Sequence, residues 1–101
     1  MPRREQLEAL LADDPQDVFL AYAVAMAWAS EGHPDQAISR LAEIGQRAPD
    51  YVAAWFQQGQ LLATGGETGR AREAIEAGIE AARRTDDAHA LAEMTEFLEM
   101  L

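Results

Sequence analysis

The sequence predicts an all-α chain of antiparallel helix pairs, about six helices in all, and two observations predict it. The first is a repeat. Pro15 and Pro49 are 34 residues apart, and the same offset joins Val18 to Val52, Ala25 to Gly59, Gly32 to Gly66 and Ala37 to Ala71. Looser pairs keep it without any insertion: Ala21 with Trp55, Trp28 with Leu62, Leu41 with Ile75, Ile44 with Gly78. A period of this length is the mark of stacked supersecondary units. The second is apolar spacing near 3.6 residues per turn in every segment, with no strand-like alternation.

Each period reads as two helices. In the first period Asp14 is the expected N-cap, with Pro15 in the first turn and Asp17 three residues after the cap. The helix is expected to run to about Glu31 and stop at Gly32, a residue that tolerates left-handed backbone. His33 then caps, Pro34 opens, and Gln36 takes the capping-box place of the second helix, whose stripe is Ala37, Ile38, Leu41 and Ile44. Pro49 ends it, because the residue before a proline avoids helical geometry. The second period repeats the plan. Val52, Trp55, Phe56, Leu61 and Leu62 mark one helix and Gly65-Gly66 closes it. Thr68 is the expected cap of the next, with Ala71, Ala74, Ile75, Gly78 and Ile79 as its face. The small residues there let helix axes approach closely.

Two helices flank these pairs. Leu7, Leu10 and Leu11 stripe a short one that ends at Asp13-Asp14-Pro15. Thr85-Asp86-Asp87 starts a last one carrying Leu91, Met94, Leu98 and Leu101, with Phe97 alongside. The period fails there, since Arg83 stands 34 beyond Pro49, as expected of a capping element. The expected organisation is an N-terminal capping helix at 1–14, repeats at 15–48 and 49–84, and a C-terminal capping helix at 85–101. The Met start and the atypical last helix lead us to expect a complete small protein.

Composition excludes several functions. The chain has 101 residues, 49% of them hydrophobic, which suits one modest core. With no cysteine there are no disulfides, thiolate nucleophiles or thiolate metal sites. Eight Lys+Arg, all Arg, oppose 18 Asp+Glu, for a net charge of −10. Such a surface is wrong for nucleic acid and is repelled by anionic membranes. The longest apolar run, Val18 to Ala29, is too short to span a bilayer, and the first residues have no apolar segment of a signal peptide. A cytoplasmic location is expected.

No constellation points to chemistry. His33 lies in a turn and His89 in the first turn of the last helix, so no metal site is expected. Glu73, Glu76 and Glu80, with Arg72, Arg83 and Arg84, read as a solvated helix face of neighbouring opposite charges. Gly65-Gly66 and Gly69 follow a helix and lack a lysine, so they make a turn and not a phosphate loop. Ser30 and Ser39 have no histidine partner in a recognisable motif. Neither catalysis nor a cofactor is expected.

The repeats resemble the tetratricopeptide family. The pattern is carried by Trp55, Gly59, Leu62, Gly66, Ala71, Ile75 and Gly78, and in the first repeat by Ala25, Trp28, Gly32, Ala37, Leu41 and Pro49. Ala21 stands where a large residue is usual, Ile44 where a small one is usual, and Gln58 where leucine is common. The resemblance covers about residues 15–84 and implies an α-solenoid whose first helices line a concave groove for a partner's peptide or helix. The groove positions it implies are Phe19, Tyr22 and Met26 in the first repeat and Ala53, Phe56 and Gln60 in the second, with the closing helix as a third wall. One subset of the family grips a C-terminal carboxylate with Lys and Asn. Here Tyr22 and Met26 take the first-repeat positions, Gln57 takes a later Asn position, and there is no Lys, so an acidic chaperone tail is not expected to bind. An apolar groove in an acidic shell suits a protein partner with apolar anchors and basic flanks. Coverage of Phe19, Tyr22 and Phe56 by the closing helix is the structural alternative, and self-association into a homodimer the functional one.

Overall fold

Among the described residues six helices follow one another as antiparallel neighbours, each packing chiefly on the next. The computed structural model describes residues 2–101, so Met1, which belongs to the expected 1–14 cap, lies outside the described residues. The helices are α1 (Arg3–Asp13), α2 (Val18–Ser30), α3 (Pro34–Arg47), α4 (Val52–Thr64), α5 (Thr68–Arg84) and α6 (Ala88–Glu99). There is no strand among the described residues.

The boundaries follow from local chemistry, with three corrections to the expected caps. Asp14 does not start α2. Its carbonyl accepts from the Asp17 N–H at 3.1 Å, closing a turn around Pro15, and Asp17 is the N-cap, its carboxylate accepting from the Leu20 N–H at 3.0 Å. The turn absorbs the proline, so the helix begins one turn later at Val18. His33 stands at the α3 cap position but makes no side-chain capping bond; its ring meets Trp28 edge-on at 5.5 Å instead. Thr68 is the first helical residue of α5, with Glu67 as its N-cap, again without a side-chain bond. Gly32 and Gly66 close α2 and α4 at φ +82° and +81°, the left-handed geometry that glycine adopts without steric cost.

The missing proline at Arg83 has a visible consequence. Pro49 stops α3 at Arg47, whereas α5 runs on to Arg84 and ends on Asp86, a non-glycine at φ 56°. Aspartate tolerates this backbone better than most residues. Asp87 then caps α6 by accepting from the Ala90 N–H at 3.1 Å.

The core runs through the middle of the array. Ala25, Leu41, Ile44 and Ala54 form one cluster, Ile75, Ile79, Ala82 and Met94 a second, and Leu62, Ala71 and Ala74 a third. Close approach at glycine makes this possible. A Cβ on Gly59 would overlap the Ile75 side chain, one on Gly45 would lie 2.7 Å from the Trp55 ring, and one on Gly78 would lie 2.6 Å from Met94 Sδ and 2.9 Å from Trp55 Cβ. The α6 stripe expected from spacing buries Met94 completely and brings Phe97 and Leu98 against the second cluster.

Candidate partner-binding surface

The six groove positions occupy three different environments. Phe19, Tyr22 and Met26 lie on α2 at spacings of three and four residues, so they share one helix face. Phe19 is 68% exposed, while Tyr22 and Met26 are half-buried. On α4, Ala53 is exposed and Gln60 half-buried; the Gln60 carbonyl accepts from the Thr64 hydroxyl at 3.0 Å. Phe56 packs against the Ile75–Met94 cluster, and its ring meets Phe97 of α6 edge-on at 5.9 Å. The closing helix therefore reaches Phe56 and leaves Phe19 uncovered.

The residue that joins the two helices is Tyr51. Its ring lies 5.5 Å from that of Tyr22. It also lines an open cleft of ≈ 560 Å³ with Asp50, Ala53, Thr85, Asp86 and Asp87. The loop that carries it is pinned. The Pro49 carbonyl accepts from Trp55 Nε1 at 2.9 Å and from Arg84 Nη2 at 3.2 Å, and Arg84 Nε pairs with Asp50 at 2.7 Å. The Tyr51 N–H donates to the Ala48 carbonyl at 3.0 Å. Tyr51 was missed among the candidate positions because it precedes the helix and has no place in the helical stripe. The only sequence signal for it is an aromatic directly after a Pro-Asp turn.

Burial pushes the Tyr22 phenol above its ordinary pKa, and the neighbouring Tyr51 adds to the shift. Burial also raises Tyr51, with the Asp17 carboxylate adding to it. The Asp17 carboxylate therefore adds negative potential at the Tyr51 phenol. The nearby cations are already engaged: Arg84 as above, and Arg47 through a 2.9 Å bond from Nη1 to the Pro15 carbonyl.

The expected solvated face on α5 is only partly local. Arg83 pairs with Glu80 at 2.5 Å, but Arg84 goes to Asp50, and Arg72 Nη2 donates to the Leu101 carbonyl at 3.3 Å. Both arginines tie α5 to neighbouring segments. His33 and His89 are not brought together, since His33 meets Trp28 and His89 Nε2 lies 3.0 Å from Glu93. Among the described residues no three metal-ligating side chains gather, and no helix is long and apolar enough to cross a membrane.

Comparisons with known proteins agree with this architecture. The solution structure of a Bordetella parapertussis protein is similar at 29% identity, over 99% of this chain and 87% of that one, with a TM-score of 0.83. A tetratricopeptide repeat domain protein from Salinibacter ruber is similar in its crystal structure at 26% identity, over 84% of this chain and 94% of that one, with a TM-score of 0.78. Its solution structure gives 28% identity, 86% and 88% coverage, and a TM-score of 0.81. No curated protein matches. A family model described as tetratricopeptide repeat matches residues 29–94, from the end of the first period's leading helix to the buried methionine of α6. With that match over most of its length, and helix pairs locked by small residues at the crossings, the chain belongs to the tetratricopeptide repeat family.

Proposed function

We propose that the chain is a binding module with no chemistry of its own, holding an apolar-anchored segment of a partner protein against the α2–α4 face. Its family serves generally as a protein-interaction or scaffold module. On this reading residues 15–48 and 49–84 are the two working repeats, with 1–14 and 85–101 as caps. Phe19, Tyr22 and Met26 form the apolar wall. Ala53 and Gln60 face it from α4, and Phe56 with Phe97 closes one end.

The observation that carries the reading is Phe19. A phenyl ring left 68% exposed in a small acidic protein gains about 1–2 kcal/mol when fully covered, and its helix face continues into Tyr22 and Met26. The test is affinity capture from a native lysate with wild type beside Phe19→Ser. The substituted ring is exposed, so the fold should be unaffected, which circular dichroism checks. A partner held by wild type and lost by the variant is the expected result. A partner that binds both equally removes the groove reading.

A second reading is self-association through the ends of the array. Leu10 on α1 is 54% exposed and Met100 after α6 is 78% exposed. Two copies that each carry a charge of −10 repel, which ranks this reading second. Sedimentation equilibrium across concentration separates the two: a mass that stays at one chain removes self-association.

A further inference from the structure

Resting on that binding-module reading, we propose that the partner segment is cationic: an apolar anchor seated on Phe19 and Tyr22, flanked by Arg or Lys residues that meet the carboxylates around Tyr51. Tyr51 is the hub of this arrangement. Tyr22 lies 5.5 Å from it on one side, and on the other it opens onto the cleft with Asp50, Asp86 and Asp87. The Asp17 carboxylate acts on the same phenol. Apolar and anionic surface therefore adjoin at one place.

Charge complementarity fixes the occupant. The nearby cations are engaged inside the fold, Arg84 by Asp50 and the Pro49 carbonyl, Arg47 by the Pro15 carbonyl, and Arg83, which lines a cavity with Asp86 and Asp87, by Glu80. Asp86 has no ion pair among the described residues. Asp17 and Asp87 each give one oxygen to a helix N-terminus, which offsets part of their charge, and no basic side chain pairs with either among the described residues. An anionic segment, or a second copy of this −10 chain, would add like charge to this corner. A segment with basic flanks relieves it, and the apolar anchor supplies the affinity that exposed charge pairs alone do not.

Selection of phage-displayed random dodecapeptides on the wild-type chain, with Phe19→Ser as the parallel bait, reads this chemistry directly. The expected sequences have an aromatic or aliphatic anchor with Arg or Lys within a few residues on either side. A synthetic copy should weaken roughly tenfold between low salt and physiological salt, because exposed charge pairs are screened. It should weaken by a similar factor, about tenfold, on D17N/D86N, which leaves the Arg84–Asp50 pair in place. Asparagine keeps the Asp17 cap and accepts the left-handed backbone at residue 86. If that variant does not fold, peptide composition and salt dependence on wild type still decide. Selected peptides that need Phe19 but carry neutral or acidic flanks overturn this inference and leave the binding-module reading standing. If no sequence is enriched on wild type over Phe19→Ser, both fall.

Discussion

The two ends of the chain are held by different physics, and the contrast shows where stability resides. At the N-terminal end α1 contains no buried residue. Its attachment to α2 centres on Arg4, whose guanidinium lies 3.7 Å from the centroid of the Trp28 ring and pairs with Glu31 at 3.0 Å and Glu8 at 2.6 Å. The indole Nε1 beneath is buried without a hydrogen-bond partner. In the α4–α5–α6 region the charged side chains stay out of the core, and the interior is held by interlock. Ile75 and Met94 are 0% exposed, Gly59 receives Ile75, Gly78 receives Met94, and the Trp55 Nε1 is satisfied by Pro49. Helix packing at native density tolerates volume changes poorly, whereas exposed charge pairs contribute little and are screened by salt. The comparison predicts a rigid C-terminal half and a loosely latched α1.

The largest effects should come from breaking the interlock. Met94→Ala removes a fully buried side chain from beneath Gly78 and should cost about 2–5 kcal/mol, read by urea denaturation. A cost below about 1 kcal/mol would mean that α6 does not share the core. Next is Gly59→Leu, which forces a side chain into the space of Ile75. Overpacking costs about 1–3 kcal/mol, and the loss of glycine's backbone entropy cost, about 1 kcal/mol in favour of the variant, does not cancel it. Pairing it with Ile75→Ala should recover part of the loss, and strict additivity would show that the two residues do not meet.

Much of this contrast was legible in the sequence, and what was hidden has a physical reason. The offset between Ala25 and Gly59, and between Leu41 and Ile75, gave the crossings because a fixed period places equivalent residues in equivalent packing. Gly45 was not legible as the seat of the Trp55 ring, since Ile44 holds the register position opposite Gly78 and the small residue has moved one place on. Capping failed for the same reason in two places: Asp14 and Thr68 are good cap residues, but the turn geometry around Pro15 and Glu67 decided which backbone N–H groups were left free. The Arg4–Trp28 stack joins residues far apart in sequence on one side of the repeat, where no periodicity reaches. Of the candidate groove, the α2 stripe of Phe19, Tyr22 and Met26 followed from helical spacing, whereas contact between Phe56 and Phe97 depended on how the closing helix docks.

The α1 latch should give a smaller and local effect. Arg4→Ala removes the stack on Trp28 and both ion pairs together, and salt should act on the pairs alone. Native-state hydrogen exchange is expected to speed up a few-fold for α1 amides while α5 amides keep their global protection. Equal acceleration in α1 and α5 would show that the ends unfold as one unit, and the contrast between them would be lost.

The smallest effect is the one that reads the aromatic junction between the ends. The chain has two tyrosines, Tyr22 and Tyr51, so tyrosinate absorbance reports this pair alone. Both phenols are raised above the ordinary value near 10 by burial, with Tyr51 acting on Tyr22 and Asp17 on Tyr51. Above pH ~10 the unfolded chain loses these protons first, so the folded state binds more protons and stability falls as pH rises. Their contribution is fully present below pH ~10 and is lost as the pH passes through the folded values. The folded chain should therefore titrate at higher pH than the same chain in denaturant. Asp17→Asn, which retains the cap, should bring Tyr51 part of the way back by removing one nearby charge. Identical titration in buffer and in denaturant would mean that Tyr22 and Tyr51 are solvated independently, and the hub on which the cationic partner was placed would not exist.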